Sequence, residues 1–183
     1  QAEADESDSK KISISVKKIE SYSVELPMSV FTKRSDKKEI TDRIEIITEL
    51  ATINVPISMF DGVKNANGET VTITIEQADL SKVDDEWKEL IGDRPILDIS
   101  VTIDGKKVVW ENEESPIIIS VDYHPTKEEQ EHLESIVVYE IDDEGKVKIV
   151  TDGSYDPDTG KVTFSIKRFN RYAIAYNYVE SED

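Results

Sequence analysis

The sequence contains no cysteine among its 183 residues. Disulfides, thiolate metal ligands and cysteine nucleophiles are therefore excluded together. Histidine is almost as scarce, since His124 and His132 are the only two, and the His-Glu-x-x-His spacing of a zinc site does not occur. No apolar run approaches the roughly 20 residues that span a bilayer, so we expect no membrane insertion.

Positive charge is also scarce. Lysine and arginine number 22 against 40 aspartate and glutamate residues, which gives a formal net charge of -18. A surface this acidic repels phosphate backbones and anionic lipids, and no cluster of basic residues with interleaved aromatics offsets it. We therefore expect neither nucleic acid nor an anionic membrane as a partner.

The two ends have little apolar content. Residues 1–10 are expected to form an acidic mobile leader and residues 180–183 an acidic tail, because both lack apolar surface to offset the entropy of ordering. The chain begins with Gln1, so we expect a processed chain or a piece of a longer protein, with any export signal upstream. Between the ends we expect a first β half at 11–95 and a second at 96–179, packed as one unit.

The dominant period between the ends is two. Eleven runs alternate or are continuously apolar with β-branched and aromatic residues; they include KISISVK, SYSVEL, TVTITIE, ILDISVTI, KKVVW, PIIISVDY, KVTFSI and YAIAYNY. Asp104-Gly105 has the spacing of a two-residue type I′ hairpin turn between two of them. We therefore predict an all-β fold, an antiparallel β-sandwich with two short helical connections.

The two helical connections have recognisable patterns. In DLSKVDDEWKEL four apolar residues would share one helix face: Leu80, Val83, Trp87 and Leu90. In HPTKEEQEHLES, Thr126 and Glu129 have the spacing of a capping box. Both segments are predicted to cover the ends of the sandwich.

A short motif occurs twice. SVELPMSVF at 23–31 and TINVPISMF at 52–60 align as a strand, a proline, a serine and a closing phenylalanine. The proline removes a ladder donor, so each strand must end or lie at an edge there. We expect paired strands of related geometry, in which Phe31 and Phe60 turn back to seal the core.

The order of motifs in the chain resembles one known family. ATINVPISMFDGV, VTITIE, ILDISVTIDGKKVVW, PIIISVDY and SIVVYEIDDEGKVKIV precede GSYDPDTGKVTFSIKRFNRYAIAY. Together they resemble a β-sandwich module of clostridial-type bacterial surface proteins, which accompanies S-layer homology repeats. The resemblance implies a location that is extracellular, at the cell surface or cell-wall associated, and neighbouring modules of the same polypeptide as partners.

The closing motif is also similar to the β domain shared by ankyrins and netrin receptors. Self-cleaving relatives of that domain have His-Phe-Ser before the last strand, where the serine hydroxyl attacks the preceding carbonyl with a histidine as base. Here the three positions are Arg168, Phe169 and Asn170. Arginine does not lose its proton and asparagine has no hydroxyl, so we expect a degenerate motif that serves packing.

Exposed aromatic rings would indicate a different function. Sugar-binding sandwiches stack rings on the apolar faces of sugars, and four candidates for such a face are Trp110, Tyr172, Tyr176 and Tyr178. The three tyrosines have the same parity, so a regular strand would point them to one side. If that side faces solvent, we expect cell-wall or plant polysaccharide as a partner. If it faces the core, the rings fill space in the core.

Acidic turns suggest calcium. DGSYDPDTG places Asp152, Asp156 and Asp158 close together, although the spacing is not that of an EF-hand loop. Hairpin turns of a strongly acidic protein show such clusters without a metal, so no cofactor is expected and calcium is the alternative.

A covalently reinforced adhesin domain is a further alternative. Lys17 or Lys18 would condense with Asn170 or Asn177 if the first and last strands are neighbours. Compatible spacing for a nucleophile, base and acid is missing. The sequence therefore predicts a non-catalytic structural or interaction module of a multimodular secreted or cell-surface bacterial protein, with carbohydrate binding as the alternative.

Overall fold

A computed structural model describes residues 21–32 and 43–180 of the chain. The predicted acidic leader, the KISISVK run and all of the acidic tail except its first residue lie outside the described residues. Within them, the predicted all-β antiparallel sandwich is confirmed.

The described residues form twelve strands. In chain order they are β1 Ser21–Pro27, β2 Arg43–Ile47, β3 Thr52–Pro56, β4 Thr70–Gln77, β5 Ile96–Ile103, β6 Lys106–Lys107, β7 Ile117–Asp122, β8 Ile136–Ile141, β9 Val147–Ile149, β10 Ser154–Asp156, β11 Lys161–Ile166 and β12 Arg171–Tyr176. The helices are α1 Ser29–Thr32, α2 Asp85–Ile91 and α3 Lys127–Glu131, and a 3₁₀ turn follows at Leu133–Ser135.

Two antiparallel sheets form the sandwich. The seven-stranded sheet has the order β1-β4-β5-β12-β8-β9, with β6 beside β5, and the five-stranded sheet has the order β10-β11-β7-β3-β2. Strands from before and after residue 95 are neighbours in both sheets, because β4 pairs with β5 and β3 pairs with β7. The main core lies between the sheets and takes inward-facing residues from both.

A smaller core covers the outer face of the seven-stranded sheet. The segment around α2 packs over β12 and β8, where Ala173 and Ala175 are fully buried. Strand β12 is therefore buried on both sides, with Tyr172 and Ile174 facing the main core.

The predicted helix face is wrong in part, because α2 begins only at Asp85, so that Leu80 and Val83 lie in the loop before it. The four apolar residues nevertheless meet in one place, since Val83 belongs to the smaller core and Leu80, Trp87 and Leu90 pack against it. The segment covers the outer face of the sheet, whereas the sequence predicted that it would cover an end of the sandwich.

Local signals in the sequence are confirmed at two places. Asp104 and Gly105 both have positive φ and connect Ile103 to its partner Lys106, as a type I′ turn requires. The capping box of α3 is complete, with Thr126 Oγ1 accepting from the Glu129 amide at 3.3 Å and the Glu129 carboxylate accepting from the Thr126 amide at 3.1 Å.

Three details differ from the sequence-based expectations. The two repeat strands are not paired: β1 pairs with β4 in one sheet, whereas β3 lies between β2 and β7 in the other. The KKVVW run forms only the two-residue β6, and Val109 is 92% exposed. Helix α1 and strand β10 were not predicted, because four and three residues are too short to show a period.

Candidate functional site

The corner between β11 and β12 contains the degenerate motif. Here the Tyr172 hydroxyl donates to the carbonyl oxygen of Arg168, four residues upstream, at 2.5 Å. This is the geometry of the tyrosine corner found in other β-sandwiches. Burial, with Glu140 nearby, raises the pKa of Tyr172 far above its usual value, so the hydroxyl remains a donor. The chain direction at the corner is therefore set by a buried hydrogen bond.

Phe169 packs on an aromatic ring brought from another part of the chain. Its ring centroid lies 4.7 Å from that of Trp110, with the two planes inclined by 31°. Trp110 is itself only 2% exposed and its indole Nε1 donates to the Met59 carbonyl at 2.6 Å. The expectation that Phe169 serves packing agrees with these contacts.

The side chains on either side of Phe169 share one carboxylate. Asn170 Nδ2 donates to Glu140 Oε1 at 2.8 Å, and the Arg168 guanidinium lies 3.4 Å from the same oxygen. Arg168 also lies 3.6 Å from Glu111 Oε1, next to the β-bridge between these two residues. The two positions that would supply base and nucleophile instead supply a cation and an amide to acidic partners.

This arrangement has no group that can begin an acyl shift at the bond before Asn170. An amide side chain is not a hydroxyl nucleophile, and a guanidinium that carries two ion pairs cannot accept a proton. What the corner can do chemically is hold charge and donate hydrogen bonds. Arg168 lines three adjoining polar clefts of about 330, 180 and 340 Å³.

The four aromatic candidates for a carbohydrate face do not form one surface. Trp110 and Tyr172 are each 2% exposed, so the expectation that they could stack on a sugar is wrong. Tyr176 is half-buried with its hydroxyl enclosed, and Tyr178, beyond the end of β12, is 40% exposed. The shared parity of the tyrosines left open whether they face the core or the solvent. Tyr172 faces the core, because it lies on the side of β12 that points to the main core.

The Tyr178 ring lies nearly parallel to two neighbouring rings. The His132 ring lies 3.9 Å from it at 20°, and the Tyr176 ring lies 6.4 Å away at 15°. The Arg94 guanidinium carbon lies over the Tyr176 ring, 5.7 Å from its centroid. Tyr178 therefore has aromatic neighbours while 40% of it remains exposed.

Two of the three aspartates proposed for calcium accept hydrogen bonds from backbone amides, and the third, Asp158, donates one of those amides. Asp152 Oδ1 accepts from the Ser165 amide at 3.2 Å, and Asp156 Oδ1 accepts from the Asp158 amide at 2.9 Å. Across residues 21–32 and 43–180 no group of three or more histidine or acidic side chains could hold a metal ion. The predicted cluster is therefore not brought together as a cation site.

The asparagines of the adhesin alternative also have local partners. Asn170 binds Glu140 as described, and Asn177 Nδ2 donates to the Tyr139 hydroxyl at 2.9 Å. The lysines of that alternative, Lys17 and Lys18, lie outside the described residues. No helix in the described part of the chain is long and apolar enough to cross a membrane.

A buried ionic cluster at the far end of the sandwich was not anticipated from the sequence. The Glu129 carboxylate is 1% exposed and accepts from the Tyr123 hydroxyl at 2.7 Å and from Arg94 Nε at 2.9 Å. Burial and the bond to Glu129 raise the pKa of Tyr123 to about 12. Glu129 was predicted only as a capping residue; its burial depends on Arg94, which is 35 positions away in the sequence.

Comparisons with protein families, with curated proteins and with solved structures each found no match for this chain. The features of this chain that bear on function are the corner at Arg168 and the aromatic rings around Tyr178.

Proposed function

We propose that this chain is a non-catalytic structural or interaction module of a multimodular secreted or cell-surface bacterial protein. The single observation that carries the proposal is the corner before β12. There the motif positions serve as an ion pair, a ring contact and an amide donor, and a tyrosine hydroxyl ties the turn to the last strand. Residues used in this way stabilise a scaffold.

The net charge of the chain and the core between its two sheets are both suited to a spacer module. Two sheets that share one continuous core resist deformation, because close-packed interiors have low compressibility. The net charge of -18 keeps such a module soluble and discourages contact with unrelated anions. Location at the cell wall, beside S-layer homology repeats, is part of the proposal and rests on the order of motifs described above.

Carbohydrate binding is the second candidate, and one observation favours it. Tyr178 remains 40% exposed at the end of the sandwich. The His132 ring is stacked on the Tyr178 ring, so aromatic and polar groups are available together, as sugar recognition requires. Calcium-stabilised or self-processing variants of the module have no comparable observation in their favour.

A pull-down of the purified chain with insoluble cell-wall and plant polysaccharides, with calcium and with chelator, tests the proposal. The spacer predicts no retention in either condition. Retention that is lost in Tyr178→Ala but kept in Val179→Ala, a neighbour that is 78% exposed, would replace the spacer with a carbohydrate-binding module. An intact mass equal to the calculated mass is expected in the same sample, since the proposal includes no self-cleavage.

A further inference from the structure

The loop before β4 contains an asparagine-glycine pair. Of the six asparagines in the chain, only Asn67 is followed by glycine. Asn67 and Gly68 are both exposed. Reaction at a side-chain amide depends on a nucleophile held close to it, and here that nucleophile is the backbone nitrogen of the next residue.

Both reacting groups of this pair are free of competing contacts. Within residues 21–32 and 43–180, neither the Asn67 side chain nor the Gly68 backbone N–H has a hydrogen-bond partner. Glycine has no Cβ, so its nitrogen is unhindered. The nitrogen can therefore approach the Asn67 side-chain carbonyl carbon without breaking an existing hydrogen bond.

The other asparagines are placed differently. Asn65 lies in the same loop, with a φ of +60°, but it precedes Ala66, whose Cβ hinders approach of the backbone nitrogen. The remaining four have hydrogen-bonded side chains. They are Asn54, Asn112, Asn170 and Asn177. The fold therefore engages these amides and leaves Asn67 with both a free side chain and a free neighbouring nitrogen.

An aspartate-glycine pair at 152–153 has the same spacing of reacting groups and the opposite arrangement. Asp152 Oδ1 accepts from the Ser165 amide at 3.2 Å. The Gly153 amide donates to the Val150 carbonyl at 3.0 Å. Both groups are therefore held by hydrogen bonds in the folded chain, so the spacing of residue types alone does not decide which pair is free to react.

Packing requires glycine at position 68. A Cβ added to Gly68 would lie 2.3 Å from Ile103 Cγ2 and 2.5 Å from Asp104 Oδ2. The Asp104 carboxylate also accepts from the Glu69 amide at 3.1 Å and from the Thr70 amide at 2.9 Å. A larger residue at 68 would displace the carboxylate that anchors the start of β4. The fold therefore maintains the reactive pair.

We propose that Asn67 is a site of spontaneous deamidation in the folded chain. The Gly68 backbone nitrogen gives up its proton and bonds to the Asn67 side-chain carbonyl carbon. The bond from that carbon to the side-chain nitrogen breaks, and the nitrogen leaves as ammonia with the proton. Water then opens the cyclic imide, either at the side-chain carbonyl, which gives aspartate, or at the main-chain carbonyl, which gives isoaspartate.

Both products change the loop. Each adds a negative charge at position 67, and isoaspartate also adds a carbon to the main chain directly before the anchored Glu69. A long-lived spacer would accumulate the two products with age. This inference goes beyond the proposed function, because it concerns a covalent change of the chain, and either can fail while the other stands.

Intact mass and peptide mapping of the freshly purified full chain, incubated at mildly alkaline pH, test the proposal. The native chain is expected to gain the mass difference between a hydroxyl and an amide NH₂ group, mapped by fragmentation to Asn67, at a rate similar to that in guanidinium chloride. Asn67→Gln should lose the change, because its longer side chain closes a larger ring more slowly. Asn65→Gly, in the same loop, should keep it.

Three results would overturn the proposal. They are a native chain that stays unchanged while the denatured chain reacts, a change that persists in Asn67→Gln, and a change that maps to another asparagine. Asn67→Ser gives the same test if Asn67→Gln does not fold, as judged by circular dichroism. Anion exchange is a second readout, since the product should elute later than the native chain, at the position marked by Asn67→Asp.

Discussion

Phe31 and Phe60 meet edge to face, with ring centroids 5.1 Å apart and ring planes at 83°. They are the closing residues of the two repeat copies, at 23–31 and 52–60, which follow strands in different sheets. Both rings are buried. The repeat therefore brings two closing rings together in the core, one from the segment after a strand of each sheet, rather than forming a pair of adjacent strands.

Phe31→Ala and Phe60→Ala are each expected to lower the free energy of unfolding by about 3 kcal/mol or more. Because the rings contact each other, the double variant should lose less than the sum, with a coupling of about 1 kcal/mol. Urea denaturation of the four proteins measures it. Phe31→Ala combined with Phe164→Ala is the control, since the Phe164 ring contacts Tyr172 instead and its effect should add. Additivity in both cycles would contradict the pairing.

Tyr172→Phe removes the hydroxyl that binds the Arg168 carbonyl and leaves the ring in place. The expected loss is about 1 kcal/mol of unfolding free energy, because a buried carbonyl loses its partner. Tyr178→Phe, at a ring that is 40% exposed, should leave the urea midpoint unchanged. A Tyr172→Phe protein as stable as the native one would show that the corner does not depend on this bond.

Glu129 predicts a pH dependence of stability. Burial by itself would raise the pKa of Glu129, but hydrogen bonds from Tyr123, Arg94 and the Thr126 amide together lower it below its usual 4.5. A carboxylate with a lowered folded pKa stabilises the fold above its unfolded pKa, and that contribution is lost as the pH falls through the folded value. Stability should therefore decline on the acid side of 4.5.

Glu129→Gln measures that contribution. At neutral pH it should cost about 3 kcal/mol, because Arg94 loses its buried partner. The difference from native protein should shrink as the pH is lowered below 4.5, since the native carboxylate then becomes neutral as well. Urea midpoints over this pH range provide the test, with Glu128→Gln on the exposed side of the same helix as control. A difference that is independent of pH would reject the ionised pair.

Gly145 is expected to be irreplaceable for a steric reason beyond its backbone angle. Its φ is +86°, and an added Cβ would lie 1.9 Å from the Lys82 carbonyl oxygen. Gly160 has a similar φ of +70° with open space around it, so Gly160→Ala should cost only the left-handed penalty of about 1 kcal/mol. Gly145→Ala should lower the thermal midpoint further, and equal midpoints would show that the loop at Lys82 moves freely.

Most of the strands could be predicted because their signal is local. Alternation within β4, β5, β7 and β11 reports which side of each strand is buried, and turn and capping residues act over three or four positions. The wrong predictions also arise because the signal in the sequence is local. KKVVW has the composition of a strand, but only Lys106 and Lys107 pair with β5, since Trp110 is drawn into the core instead.

The candidate site was predicted in part. Loss of the self-cleavage chemistry at Arg168 and Asn170 follows from the residue types alone, because a guanidinium and an amide cannot replace a base and a hydroxyl. Their partners could not be predicted. Glu140 reaches them from β8, 28 and 30 positions away, and Trp110 reaches Phe169 from a loop, so only chain folding reveals the contacts.

The sequence by itself determined the class of fold, the turns and caps, the acidic surface and the absence of thiol chemistry, because each depends on residue type and on spacing of a few positions. Only the tertiary structure decided which tyrosines became core and which sheet each repeat strand joined. Those outcomes depend on which strands become neighbours. The period of a strand shows that its two sides differ, but its burial on one or both sides is set by the distant element that packs against it, as the helix at Asp85–Ile91 does over Ala173 and Ala175.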